Sequence, residues 1–171
     1  MFFLILASNL VKKTYLCSKF FKMNTKHHFT SLPIRRLQLP KNVDSRGILT
    51  IAESETHIPF PIARVFWITS VPAGQRRGGH AHWHCHEALF AVAGRFTVDI
   101  DDGNGVQTFV ITCNGEGVVV PAGAWCVLHD FSDDAVCLVM ASEPYDATGY
   151  CHDHSHWQQI IREMPSPTPY N

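Results

Sequence analysis

His80 and His82 stand two residues apart in Gly74-Gln75-Arg76-Arg77-Gly78-Gly79-His80-Ala81-His82-Trp83-His84-Cys85-His86-Glu87, a stretch closed by Gly94. On an extended strand, alternate side chains leave the same face with about 3.3 Å of rise per residue, so two imidazoles would project side by side into whatever that face encloses. Two neutral bases would then share one pocket, an arrangement suited to moving protons. The chain has eleven histidines, eight of them from His80 to His156. A His-x-His alone is therefore compatible with a solvated polar face, and its neighbours must decide.

A second glycine-bounded block follows: Gly115-Glu116-Gly117-Val118-Val119-Val120-Pro121-Ala122-Gly123-Ala124-Trp125-Cys126. Together the two blocks resemble the cupin pattern, Gly-x5-His-x-His-x4-Glu-x6-Gly followed by Gly-x5-Pro-x-Gly-x2-His. The first block matches at every fixed position; in the second, Cys126 stands where the pattern has histidine. Glu87 lies an odd number of residues from both histidines, so on an unbroken strand it would face away from them. A turn within residues 83–86 would bring it back, and the cupin resemblance implies that turn.

The elements that must position these residues read as short strands. Ile48 to Ala52, Ala63 to Ser70, Ala88 to Ala93, Phe96 to Ile100, Thr108 to Thr112, Val118 to Val120 and Val136 to Ala141 are rich in Val, Ile, Phe and Thr. Turn chemistry separates them at Asp44-Ser45-Arg46-Gly47, Pro72-Ala73-Gly74, Asp101-Asp102-Gly103-Asn104-Gly105 and Asn114-Gly115. Strands at this spacing predict an all-β sandwich or barrel. From His156 to Met164, Trp157, Ile160 and Ile161 have helical spacing, and Pro165 stops the run. The expected fold is an all-β cupin jelly-roll barrel with a short C-terminal helix.

A chain of 171 residues with 46% hydrophobic content suits one domain and can build a core. The expected division is an N-terminal extension over 1–33, a cupin domain over 34–163 and a proline-rich disordered tail over 164–171. Lys plus Arg number 14 against 15 Asp plus Glu, and no basic stripe is present, so composition gives no case for nucleic-acid binding. The apolar run Phe2 to Val11 is well short of the roughly 20 residues that span a bilayer, and its lysines follow it, which fits neither an anchor nor a signal peptide. Met23-Asn24-Thr25-Lys26 is a more ordinary start, so residues 1–22 are expected to be an upstream extension from a misassigned start codon. The six cysteines, Cys17, Cys85, Cys113, Cys126, Cys137 and Cys151, have no Cys-x-x-Cys spacing and read as reduced thiols of a cytoplasmic protein, Cys113 and Cys137 as small core residues.

Several local strings narrow the resemblance. Asp44-Ser45-Arg46-Gly47, Ile58-Pro59-Phe60, Arg64-Val65, Arg77-Gly78-Gly79-His80-Ala81-His82, Asp101-Asp102-Gly103, Trp125, His129-Asp130-Phe131, and Ala141-Ser142 through Tyr145-Asp146 occur in this order in one group. Over about residues 36–162 the chain resembles the dTDP-4-dehydro-6-deoxyglucose 3,4-ketoisomerases, the WxcM-like or FdtA/QdtA-like sugar isomerases. The resemblance implies a jelly-roll homodimer that shifts a ketone from C4 to C3 of a dTDP-linked deoxysugar, with no metal or organic cofactor. It implies His80 and His82 as the catalytic pair. Arg77 is a candidate for holding the pyrophosphate through charge-assisted hydrogen bonds, and Trp67 or Trp125 for stacking on the thymine or covering the sugar.

Three residues depart from that group: Phe66 and Trp67 stand where a tyrosine is usual, Cys126 where histidine is, and Glu87 where glutamine is. The last two open a rival reading, in which His80, His82, Glu87 and Cys126 bind zinc, iron or another first-row metal in a metal-dependent cupin, an oxygenase or another isomerase. Outside a metal site, Glu87 and Cys126 are candidate substrate contacts. A non-catalytic sugar-binding cupin would keep the pocket and lose turnover.

Overall fold

The computed structural model describes residues 32–163. The expectations for the N-terminal extension, for its start codon and for the tail over 164–171 lie outside the described residues, as does Cys17. The strands are β1 (Arg35–Gln38), β2 (Lys41–Asp44), β3 (Gly47–Thr50), β4 (Arg64–Thr69), β5 (Arg77–His82), β6 (Glu87–Ala93), β7 (Arg95–Asp101), β8 (Val106–Thr112), β9 (Glu116–Val120), β10 (Trp125–His129), β11 (Val136–Ala141) and β12 (Tyr150–Cys151). A 3-10 turn, Ala147–Gly149, precedes β12, and helix α1 (His154–Glu163) follows it. Two five-stranded sheets form, ordered β1-β9-β6-β11-β4 and β12-β5-β10-β7-β8, with β2 and β3 paired only to each other. This is the expected all-β architecture with its short C-terminal helix.

The core lies between the two sheets because each contributes an inward row. Leu89 and Ala91 of β6, Val118 and Val120 of β9, and Cys137 and Val139 of β11 meet Phe96, Val98 and Ile100 of β7 and Cys126 and Leu128 of β10. β4 shows the alternation directly, with Arg64, Phe66 and Ile68 turned inward and Val65, Trp67 and Thr69 exposed. The continuous apolar run of β6 has a different cause. Its other face, Ala88 and Phe90, is covered by Ile58 and Phe60 from the segment after β3, together with Leu37, Leu39 and Met140. A strand buried on both sides need not alternate.

The histidine strand is held by a bulge. β10 pairs with β5 so that Cys126 faces His80 and Val127 faces Gly78, which leaves Gly79 unpaired. Gly78 takes φ +75°, and a Cβ there would lie 2.6 Å from the carbonyl oxygen of Cys126, so the position needs glycine. The extra residue sets which face the next histidines take. β5 reads as a strand only through the spacing and family pattern of its histidines, since glycine, histidine and arginine dominate its composition, and β10 is not among the expected strands.

Helix α1 begins two residues before the expected His156, where the Asp153 side chain accepts a hydrogen bond from the backbone N–H of His156 at 3.0 Å. It buries Trp157 and Ile160, and the Trp157 indole donates to the carbonyl of Gly123 at 2.8 Å. Of the two cysteines expected in the core, Cys137 is buried but Cys113 is exposed. It follows the last residue of β8 into the turn, one step beyond the strand that would have buried it. No described helix is long and apolar enough to cross a membrane.

Candidate active site

β5 and β6 lie in opposite sheets, so the chain crosses from one wall of the sandwich to the other between His82 and Glu87. That crossing settles the parity question raised by the sequence. The segment 83–86 bends and is fixed on both sides: the carbonyl of His82 accepts from Gly123 N–H at 2.6 Å, and Trp83 N–H donates to the carbonyl of Gly149 at 2.9 Å. His86 is a structural residue, its Nδ1 accepting from Ala122 N–H at 2.9 Å while its ring stacks on Phe60. The Glu87 carboxylate thereby meets His82 from the facing sheet, Oε1 to Nε2, at 3.2 Å.

Both members of this pair are buried, at 6% exposure for His82 and 7% for Glu87. Arg64 approaches the same carboxylate from β4, Nη2 to Oε1, at 3.9 Å. A carboxylate taken out of water is stable only when paired, and here an imidazole and a guanidinium share it. The His80 ring lies 5.0 Å from that of His82, nearly perpendicular at 88°. Burial, and next the charge of His82, push the His80 imidazole below its ordinary value, which keeps it a neutral base near neutral pH.

β12 brings aromatic partners that the sequence reading did not find. Tyr150 pairs across from His82, and its ring lies 4.3 Å from the His82 ring and 5.0 Å from the His80 ring. His152 stacks on Tyr150 at 5.5 Å with an interplanar angle of 4°. The Arg64 guanidinium sits over Phe66 at 5.1 Å and over Tyr145 at 5.6 Å, within hydrogen-bonding reach of the Tyr150 phenol. A cavity of ≈ 290 Å³ opens here, lined among others by Arg64, His82, Cys85, Glu143, Tyr145 and Tyr150. The missed residues carried one faint signal, the two-residue spacing of Tyr150 and His152, but a two-residue strand is too short to show periodicity.

Not every expected residue converges. Trp67 is 67% exposed on the outer face of β4, because the alternation that turns Phe66 inward turns its neighbour out. Trp125 also faces outward, packed on His154 at 4.7 Å and on Trp157 at 5.8 Å. Arg77 is exposed at the start of β5 and lines a separate groove with Arg76, Trp125 and His154; the structure does not bring it to the His82 cavity. Cys126, paired with His80 across β5 and β10, is buried in the core between the sheets. Burial, then the charge of Glu87, raise its thiol well above the ordinary value. Among the described residues no group of three or more His, Cys, Asp or Glu is placed to hold a metal ion, so the proposed four-donor set does not form a centre.

The comparisons with known proteins show the family. The family described as FdtA: WxcM-like, C-terminal, matches residues 33–162. A TDP-4-oxo-6-deoxy-alpha-D-glucose-3,4-oxoisomerase of Aneurinibacillus thermoaerophilus is 34% identical over 128 residues, 75% of this chain and 92% of that protein. Among solved structures, a 3,4-ketoisomerase from Helicobacter canadensis superposes with a TM-score of 0.74 at 25% identity, covering 78% of this chain and all of its own. QdtA, a sugar 3,4-ketoisomerase from Thermoanaerobacterium thermosaccharolyticum in complex with TDP, gives 0.74 at 26% identity over 77% of this chain and 96% of that one.

Proposed function

This chain belongs to the FdtA family of WxcM-like C-terminal domains, and from that premise we propose that the cavity lined by His82, with His80 beside it, is the active site of a nucleotide-sugar 3,4-ketoisomerase. The protein is an isomerase that moves the keto group of a dTDP-4-dehydro-6-deoxyhexose from C4 to C3. The observation that carries the reading is the pair of imidazoles 5.0 Å apart, one backed by a buried carboxylate at 3.2 Å.

The reaction exchanges an α-hydroxy ketone for its isomer, so it needs a base at C3 and an acid at C4. The half-buried His80, held neutral by burial, takes the C3 proton and leaves an enediol-like intermediate. Glu87 places a carboxylate 3.2 Å from His82 Nε2 from the opposite wall; that nitrogen has no aligned hydrogen bond, so the carboxylate acts on His82 through its charge. Returning the proton at C4 completes the shift. Burial of His82 and Glu87 strengthens the electrostatic contact between them. The metal reading is not favoured because the matched relatives are sugar 3,4-ketoisomerases.

Incubating the protein with dTDP-4-dehydro-6-deoxyglucose and following the sugar by NMR tests this reading. The expected product is the 3-keto isomer, with solvent deuterium entering the ring to the extent that the imidazolium exchanges its proton with water before returning it. An unchanged 4-keto sugar would reject it.

A further inference from the structure

Two imidazoles account for protons on carbon, but the isomerisation also moves protons on oxygen. As C3 loses its proton, O4 becomes basic and must be neutralised; as the C3 carbonyl forms, O3 must lose its own proton. A group that serves both oxygens has to touch the histidine pair and carry one proton on a hydroxyl. β4 offers Phe66, which has no hydroxyl. Tyr145 is 69% exposed, Glu143 and Asp146 are exposed, and burial raises the Cys85 thiol above its ordinary value. Tyr150 meets the requirement. Its ring touches both imidazoles, at 4.3 and 5.0 Å, and it lines the same cavity as His82.

We propose that Tyr150 is a catalytic residue of the isomerisation, giving its phenolic proton to O4 and recovering one from O3, with Arg64 as the positioning residue that holds the phenol. The proposal rests on the ketoisomerase reading above. Its steps balance. His80 takes the C3 proton, the C3–H electron pair becomes the C3=C4 bond, and the C4 carbonyl pair moves onto O4, which takes the Tyr150 proton. The enediol then returns the O3 proton to the Tyr150 phenolate while the O3 pair makes the C3 carbonyl. C4 takes a proton from the imidazolium formed in the first step. Nothing is oxidised overall, and no co-reactant is needed.

The surroundings fit a proton donor. Burial raises the Tyr150 phenol above its ordinary value, opposed by the hydrogen bond and positive charge of Arg64, so the hydroxyl keeps its proton near neutral pH. The Arg64 side chain is fixed between the Phe66 and Tyr145 rings and the Glu87 carboxylate. Its buried Nε has no hydrogen-bond partner, which leaves a donor in the same wall of the site. A guanidinium beside the phenol steadies the phenolate during the moment it exists.

Full-length protein and its Tyr150→Phe variant, compared on dTDP-4-dehydro-6-deoxyglucose, test the proposal. Phenylalanine keeps the ring that packs on His82 and His152, so the melting temperature and the affinity for the dTDP-sugar should hold. The expected result is a kcat lower by at least ~10²-fold with KM within about threefold of wild type. A kcat within about threefold of wild type would overturn the role of the phenol while leaving the isomerase intact. Equal losses in affinity and rate would also overturn it, as the sign of a packing role. Wild-type protein without turnover would instead reject the isomerase reading, and the phenol's role with it. Should Tyr150→Phe not fold, 3-fluorotyrosine at position 150 keeps the shape and makes the hydroxyl more acidic. A displaced basic limb in the pH profile of kcat then supports the proposal, and an unmoved profile overturns it.

Discussion

His80 and His82 differ in surroundings although they share a strand. His82 is paired with Glu87, whereas His80 is half-buried with burial depressing its pKa. A depressed imidazole is neutral at pH values where a free one, near ~6.5, is half charged. Activity that needs the neutral base should therefore persist below pH 6.5 and fall only as pH drops through the lowered value. A kcat/KM profile with its acid limb above the ordinary histidine value would contradict this assignment. His80→Asn and His82→Asn should each reduce kcat by at least ~10²-fold, and full activity in either would reject its role. The pair and Glu87 were legible because spacing on a strand is a local property. Arg64 and Tyr150 were not, since nothing local to either says that β4 and β12 converge on β5. At Cys126 the prediction is that chelation leaves activity intact and that Cys126→Ser releases no metal, because among the described residues no group of three or more His, Cys, Asp or Glu is gathered for an ion. One tightly bound transition metal per chain, lost together with activity, would overturn that.

At the scale of elements, the aim of the histidines depends on the β5 bulge. Gly78→Ala would put a side chain at φ +75° against the Cys126 carbonyl. The expected cost is about 1–3 kcal/mol of stability, read by denaturant unfolding, together with a loss of turnover larger than the stability change explains, because the imidazoles shift. Normal activity and stability in Gly78→Ala would show that the bulge does not position the pair. The strands that pack the core, β4, β6, β7, β8, β9 and β11, were visible as β-branched and aromatic runs. β5 was legible only through its histidine spacing and β10 was hidden, because their residues answer to the site: glycines that build the bulge, the histidine pair, and a cysteine buried behind it. Outward Trp67 was the converse error. Aromatic content alone does not say which face of a strand a residue takes, and only the inward Arg64-x-Phe66-x-Ile68 row fixes it.

For the whole molecule, the expected homodimer rests on the strands that take part in neither large sheet. β2 and β3 pair only with each other, and a lone two-stranded hairpin is marginal in water. Yet Val43, Ile48 and Leu49 on it are 72%, 65% and 60% exposed. β4 is the edge strand of its sheet, and its outer face shows Val65 and Trp67 to solvent. Open edges and contiguous apolar surface are normally covered, and two-fold pairing would cover both surfaces at once, the hairpin of each copy lying on the β4 face of the other. The outcome expected from sedimentation is a homodimer at micromolar concentration. Combining Leu49→Glu with Trp67→Glu places charge on both halves of the contact and should yield a folded monomer. A monomeric wild type would remove the dimer. A double variant that stays dimeric would move the interface elsewhere and return the exposed hairpin to being a feature of the single chain.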